Sequence, residues 1–154
     1  MLAKIVSACI TKFFRRIKME SAGINWLAVI ASTIAYMVLG ALWYSPALFG
    51  KAWMSALGKT EEEIKAQSSP LNYIWALILS FIAAYGIARI LNWIGDYSVS
   101  RSIIVSLLAG ICFVFTTMGV NDIFEGKSRS LTAINVLYHI IGFFIIGLIL
   151  GIWR

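Results

Sequence analysis

The stretch from Leu131 to Trp153 reads LTAINVLYHIIGFFIIGLILGIW and decides the class of fold. It contains no Asp, Glu, Lys or Arg. As an α-helix it would extend about 35 Å, since a helix rises ~1.5 Å per residue. The hydrocarbon core of a bilayer is about 30 Å thick, so this length suffices to cross it. The stretch therefore predicts a membrane-spanning helix.

Three further apolar stretches precede it, at residues 25–45, 71–94 and 102–121. None alternates apolar with polar residues, as the strands of a membrane β-barrel would. Only helices and closed barrels satisfy all backbone hydrogen bonds in lipid. We therefore predict an all-α, polytopic membrane protein. Residues 23–154 form its membrane domain, a bundle of four transmembrane helices of which the last covers 131–153.

The composition of the whole chain agrees with a membrane protein. Of its 154 residues, 60% are hydrophobic and 13% are charged, and the mean hydropathy is +0.86. Soluble domains are about 45–50% apolar and about 25% charged. A soluble fold of this size cannot bury so much apolar surface. We therefore exclude a soluble enzyme, and we expect no nucleic-acid partner although the net charge is +6.

The charges are distributed unevenly between the two faces of the predicted bundle. The face that holds both termini has eight basic residues and two acidic ones, whereas the opposite face has five of each. Cytoplasmic loops carry an excess of Lys and Arg. We therefore expect both termini of this multi-pass protein to lie in the cytoplasm.

Residues 1–22 form a separate basic segment. Its apolar residues recur at helical spacing, and five basic residues lie mostly off that stripe: Lys4, Lys12, Arg15, Arg16 and Lys18. This pattern is typical of an amphipathic helix that lies on a membrane surface and binds anionic lipids. Two alternatives stay open, namely an organelle transit peptide and an extension ahead of a start at Met19.

The polar loop between the first two spans predicts two short helices at the membrane interface. The apolar residues between Leu48 and Leu57 fall on one helical face, with Trp53 as an interfacial anchor. Gly58 suits the left-handed cap that ends a helix. Thr60 followed by Glu63 is a capping box, which predicts the start of the second short helix.

Small residues recur in two of the predicted spans. The series consists of Ala76, Ser80, Ala84 and Ala88 in the second span and the pair Gly147 and Gly151 in the fourth. Small side chains let helices approach closely in a membrane. We expect the first series to pack within the chain. For the glycine pair, packing within the chain and packing between chains stay open.

Polar side chains gather near the ends of the spans that lie opposite the termini. The candidate polar pocket consists of Tyr44, Ser45, Asn121, Asp122, Glu125, Asn135, Tyr138 and His139. An ionisable residue inside a span is by default a functional-site hypothesis. A neutral histidine can equally hold a bundle together by a hydrogen bond between helices. Both interpretations of His139 stay open.

No motif in the sequence predicts catalysis or a cofactor. His139, Asp122 and Glu125 lack the close spacing of metal ligands, such as two histidines four apart on a helix. No Ser or Cys has an evident neighbouring base. We therefore expect no catalytic residue, no metal and no cofactor.

Three motifs resemble a bacterial membrane family catalogued as domain of unknown function 1761. They are VLGALWYSPALFGKAW at 38–53, NDIFEG at 121–126 and NVLYH at 135–139, and the start NWLA at 25–28 also fits. The resemblance covers about residues 23–153, and Trp43-Tyr44-Ser45-Pro46 is its most specific part. It implies a four-span inner-membrane protein and contributes no activity and no catalytic residues.

These observations favour a non-enzymatic membrane protein that assembles with itself or serves as an accessory subunit of a larger membrane complex. The alternative is an oligomeric protein that binds or transports a small molecule or an ion at the polar pocket around His139. An intramembrane enzyme with His139 as general base is the least favoured hypothesis.

Overall fold

The computed structural model describes residues 23–153. The predicted amphipathic segment 1–22 and Arg154 lie outside the described residues. The described part contains seven α-helices and a π-helical turn. The helices are α1 Trp26–Trp43, α2 Gly50–Leu57, α3 Glu61–Gln67, α4 Pro70–Ile94, α5 Val99–Ala109, α6 Thr116–Phe124 and α7 Arg129–Ile152. The π-helical turn, Gly110–Phe115, joins α5 to α6.

Four helical segments are long and apolar enough to cross a membrane. They are α1, α4, the continuous segment Val99–Phe124 made of α5, the π turn and α6, and finally α7. The all-α, four-span fold is therefore confirmed. The observed ends differ from the predicted ones by at most three residues, the largest shifts being at both ends of the third span.

Local side-chain caps explain where the spans begin and end. The Asn25 side chain accepts a hydrogen bond from the Ala28 amide, and the Ser128 hydroxyl accepts one from the Leu131 amide. Ser69 caps α4, whose first residue is Pro70, a position where proline sacrifices no helical hydrogen bond. Gly95 ends the same helix with φ +74°, a conformation that glycine adopts without steric cost.

The two short helices predicted in the first loop are α2 and α3. Gly58 caps the end of α2 in the left-handed conformation. The capping box is also confirmed, because the Thr60 hydroxyl accepts from the Glu63 amide and the Glu63 carboxylate accepts from the Thr60 amide. The Thr60 amide and hydroxyl both donate to the Glu63 carboxylate, and these two hydrogen bonds lower the pKa of Glu63.

The spans are arranged in the order third, fourth, first, second. α7 packs most extensively, with α5 on one side and α1 on the other, and α4 packs mainly against α1. The terminal end of the bundle is the end that holds Asn25, Tyr97 and Trp153. The loop end holds Trp43, Pro70 and Glu125. Only weak contacts join the second span to the third, so the arrangement is an open row of helices.

The terminal half of the bundle is tightly packed through small residues. A Cβ added at Gly147 would lie 2.6 Å from Ser106 Oγ and 2.7 Å from the Ser102 carbonyl oxygen. A Cβ at Gly151 would lie 2.7 Å from Val99 Cα. Such distances mean that α7 and α5 touch along their backbones. The glycine pair, left open by the sequence, therefore packs within the chain.

The small residues of the second span divide into two groups. Ser80, Ala84 and Ala88 are buried, and Ala84 and Ala88 belong to the core of the bundle. Ala76 is exposed, because every residue from Leu71 to Leu79 is exposed. The expected packing within the chain is thus present in the terminal half of α4 and absent at Ala76, where α4 has moved away from the other helices.

The third span also changes course toward the loop end. Its packing on α7 includes the π turn, where Gly110 faces Phe143 and Val114 packs against the core. π turns of this kind are local irregularities inside otherwise regular helices. Beyond the π turn, α6 contacts α7 only weakly, and Ile123 and Phe124 are exposed. At the loop end, the second span therefore moves away from the first span, and the third span moves away from the fourth.

Candidate functional site

A tight turn at the end of α1 explains the most specific sequence motif. The backbone amides of Leu48 and Gly50 both donate to the Ser45 carbonyl oxygen, at 3.1 Å and 2.9 Å. A Cβ at Gly50 would lie 2.6 Å from that same oxygen, so only glycine fits the turn. The turn stacks the Phe49 ring on the Trp43 ring, with centroids 4.4 Å apart. Residues 43–50 thus form a compact structural unit.

This unit attaches the first span to the fourth. The indole N–H of Trp43, which is buried, donates to the Ile134 carbonyl oxygen at 3.1 Å. The Tyr44 hydroxyl donates to Asn135 Oδ1, also at 3.1 Å. A polar group inside a membrane needs a partner, and each of these side chains finds one on α7. The motif that carries the family resemblance therefore has a structural role.

Deeper in the bundle lies the tyrosine–histidine cluster, formed by Tyr36, Tyr44, Asn135, Tyr138 and His139. The Tyr36 hydroxyl is hydrogen-bonded to Nδ1 of His139. Tyr138 stacks on Tyr36 with ring centroids 5.2 Å apart and meets Tyr44 edge-on at 5.3 Å. All five residues lie between α1 and α7. Four of the eight residues of the predicted polar pocket are thus brought together here.

Tyr36 was not among the residues of the predicted polar pocket. The sequence does relate it to Tyr44, because the two residues are eight apart and fall near the same face of α1. Close approach of the two helices makes room for the ring. Gly142 lies directly against the Tyr36 ring, and a Cβ at Gly40 would lie 3.0 Å from the Tyr138 hydroxyl oxygen.

Asp122 and Glu125 belong to a different group, at the turn between α6 and α7. Asp122, which is 5% exposed, accepts from the Thr132 hydroxyl at 2.7 Å and pairs with Lys127 at 3.0 Å. Glu125 pairs with the same ammonium at 2.7 Å. The hydrogen bonds with Glu125 and Asp122 raise the pKa of Lys127. The group fixes the turn through charge-assisted hydrogen bonds.

The other two residues of the predicted pocket lie apart from both groups. The Ser45 hydroxyl donates to the Leu42 carbonyl oxygen at 2.7 Å and so helps to end α1. Asn121 is exposed on α6. The eight residues therefore do not form one pocket: four form part of the tyrosine–histidine cluster, two lie at the α6–α7 turn, and two are separate.

The geometry of the cluster defines what it can do chemically. One ring nitrogen of His139 is engaged by Tyr36, which fixes the orientation of the imidazole. The tyrosine hydroxyls and Asn135 can donate and accept hydrogen bonds, and the Tyr36 hydroxyl is the one that touches a possible base, His139. Within residues 23–153, no three His, Cys, Asp or Glu side chains lie close enough to hold a metal ion.

A groove of about 560 Å³ opens beside the α6–α7 turn. Its walls are largely apolar, and its loop end is lined by the charged residues Asp122, Lys127 and Arg129. A second groove, of about 400 Å³, runs between α1 and α4 and is lined by apolar side chains together with Thr33. The first groove opens where α6 leaves α7, and the second opens where α4 leaves α1.

No curated protein and no solved structure matches the chain. A family model matches residues 27–151, which is most of the chain and all four spans. This match confirms the resemblance that the motifs around Trp43, Asp122 and His139 had indicated. The chain therefore belongs to the family described as protein of unknown function (DUF1761).

Proposed function

We propose that this chain is a non-enzymatic membrane protein that assembles with a second copy of itself through its second span. The observation that carries the proposal is the exposure of α4 on every side from Leu71 to Leu79. A helix that only completed its own bundle would bury one face along its whole length. Here only the terminal half of α4 does so.

One face of α4 is well suited to a helix partner. Ala76, Leu79, Ala83, Gly86 and Ile90 follow the alternating spacing of three and four residues that brings side chains into one stripe. Ala76, Leu79 and Ile90 are exposed, a Cβ added at Gly86 would meet no atom within 4 Å, and Ala83 lies at the edge of this face, partly buried against the core of the bundle. Small residues on an open face allow the close backbone approach that drives association in membranes.

The polar residues inside the bundle support a non-enzymatic role. His139 is engaged by Tyr36, Asn135 by Tyr44, and the Asp122 carboxylate by Thr132 and Lys127. Hydrogen bonds of this kind hold membrane helices together. For this reason we rank binding or transport of a small molecule or ion at His139 second and intramembrane catalysis last.

The charge distribution supports an orientation for the assembled protein. We infer that the terminal end faces the cytoplasm of a bacterial inner membrane, since it carries eight of the 13 basic residues and only two of the seven acidic ones. Reporter fusions after Trp153 and within α3 test the orientation. A fusion after Trp153 that is active only outside the cytoplasm would contradict it.

Disulfide cross-linking in native membranes tests the self-association. The background is the full chain with Cys9→Ser and Cys112→Ser. In it we introduce Ala76→Cys, on the proposed face, or Ile74→Cys, which lies about 200° away around the helix because each residue turns it by ~100°. We expect oxidation to give a covalent dimer for Ala76→Cys and little for Ile74→Cys.

A third variant distinguishes contact from random collision. Gly86→Leu added to Ala76→Cys places a large side chain where the isolated chain has open space, so the monomer should fold while the partner is kept away. We expect the cross-linked fraction to fall sharply. Equal yields for all three variants would contradict the proposal. A cross-link to a different chain would contradict self-assembly and favour an accessory-subunit role.

A further inference from the structure

The groove beside the α6–α7 turn combines an apolar channel with a charged mouth, where Lys127 and Arg129 lie beside Asp122. Phe115 and Ile123 line it on one side and Val136 and Leu137 on the other, while Lys127 and Arg129 stand at the loop end. Its volume of about 560 Å³ lies within the range of about 300–1,000 Å³ typical of small-molecule sites. The π turn produces the groove, since α6 leaves α7 immediately after it.

The depth of the groove matches one leaflet of a membrane. From Ile123 back to Phe115, and from Arg129 on to Leu137, each wall covers eight residue-to-residue steps, or about 12 Å at ~1.5 Å per step. Half of the hydrocarbon core is about 15 Å thick. An acyl chain that enters from the loop-end leaflet would thus lie beside the groove over nearly its full length.

The charged side chains at the mouth of the groove differ in their ion pairing. Lys127 is paired with both Asp122 and Glu125, so its ammonium group is already occupied by two carboxylates. Arg129 forms no ion pair within residues 23–153, although its side chain lines the same groove. A guanidinium group forms planar, paired hydrogen bonds with phosphate oxygens.

From this combination we propose that the groove is a binding site for a phospholipid of the loop-end leaflet. The phosphate group binds Arg129, and one acyl chain lies between α6 and α7. Gly119 lines the groove midway, and a Cβ there would meet only the edge of the Phe115 ring at 3.9 Å. The missing side chain at this position leaves the channel open for the acyl chain.

The test is native mass spectrometry of the full-length protein released from mild detergent. The probes are phosphatidylglycerol and a diacylglycerol with identical acyl chains, which lacks the phosphate. We expect retention of phosphatidylglycerol and not of diacylglycerol. Arg129→Gln should weaken retention about tenfold, the effect of losing one charge-assisted contact worth ~1.4 kcal/mol. Arg129→Lys should restore part of it.

Two further variants separate the groove from general lipid association. Gly119→Leu fills the channel without altering a charge and should also abolish retention. Matched controls are Arg101→Gln, an exposed arginine at the terminal end, and Gly86→Leu, a glycine with open space on α4. Both should retain the lipid. Because Gly86→Leu disrupts the proposed α4 contact only, the two proposals can fail independently.

Several results would overturn the lipid site. Equal retention by wild type, Arg129→Gln and Gly119→Leu would show lipid association outside the groove. Equal retention of diacylglycerol would remove the role of the phosphate. Loss of a dimer in Gly119→Leu, with unchanged lipid retention, would assign the groove to a second copy of the chain. Each variant is first checked for an unchanged helical circular-dichroism spectrum.

Discussion

The terminal and loop halves of the bundle are held together by different means. In the terminal half, Gly147 and Gly151 bring the α7 backbone against α5, and buried Ala84 and Ala88 bring α4 against α1. In the loop half, rings and hydrogen bonds such as that of Trp43 join α1 to α7, and the Asp122–Thr132 hydrogen bond joins only the last turn of α6 to α7. Close packing by small residues thus holds the terminal half together, whereas polar and aromatic contacts hold the loop half.

The same bundle is therefore tightly packed at its terminal end and open at its loop end. Membrane helices gain no hydrophobic driving force from each other, so they separate wherever neither packing nor a hydrogen bond joins them. That is what α4 does from Leu71 to Leu79, and what α6 does between the π turn and the Asp122–Thr132 hydrogen bond. The proposed partner face on α4 and the proposed lipid groove beside α6 both lie where the small residues no longer bring neighbouring spans together.

The largest expected effect comes from breaking the close packing. Gly147→Ala places a Cβ 2.6 Å from Ser106 Oγ, so the two helices must move apart. We expect a loss of about 2–3 kcal/mol of stability, within the range for overpacked cores. Thermal unfolding in detergent measures it. Gly86→Ala, at an open position of α4, is the control and should change stability by less than ~1 kcal/mol.

The next effect tests the connection between the first and fourth spans. Trp43→Phe keeps an aromatic ring against Phe49 but removes the hydrogen bond to the Ile134 carbonyl oxygen. We expect a loss of about 1–2 kcal/mol. Trp75→Phe, at a residue that is 61% exposed, should be nearly neutral. Equal melting temperatures for the two variants would mean that the loop half does not depend on Trp43.

A smaller effect distinguishes the two interpretations of His139. If the tyrosine–histidine cluster holds the helices together, Tyr36→Phe and His139→Leu should each lower stability. A double-mutant cycle should then give a coupling of about 0.6–1.7 kcal/mol, the range measured for hydrogen bonds between membrane helices. Unchanged melting temperatures with loss of a bound small molecule or ion would instead favour the ligand-binding hypothesis.

The smallest effect concerns the capping box outside the membrane. The folded state lowers the pKa of Glu63, so its contribution to α3 is present above the ordinary glutamate pKa and is lost as the pH falls through the lowered value. Hydrogen exchange of the α3 amides should show protection that decreases on acidification. Glu63→Gln should show weaker protection with little dependence on pH. Identical profiles would contradict this role of the carboxylate.

Local features could be predicted from the sequence because each depends on neighbouring residues. The four spans follow from apolar length, and the α2–α3 loop follows from Gly58, Thr60 and Glu63. The order of the helices depends on distant contacts, such as that between Gly147 and Ser106, which no local pattern contains. The π turn at Gly110–Phe115 likewise has no sequence signal that we could identify.

The candidate site could be predicted only by residue type. Polar residues near the loop end were evident, but their distribution into separate groups depends on how α6 turns away from α7. Asp122 and His139 therefore seemed to share a depth and a pocket, whereas the structure gives them different partners. Tyr36 was outside the predicted pocket because a tyrosine in an apolar run has no polar neighbour in sequence.

The hydrogen bond from Trp43 to Ile134 has a consequence for biosynthesis. The two residues are 91 positions apart, and a ribosome adds about 5–20 residues per second. For several seconds or more, the first two spans must therefore stay in the membrane while the indole N–H lacks its acceptor on the nascent chain. The contact between Trp43 and Ile134 cannot form before the fourth span is synthesised, so a chain interrupted before Ile134 leaves the indole N–H without this acceptor.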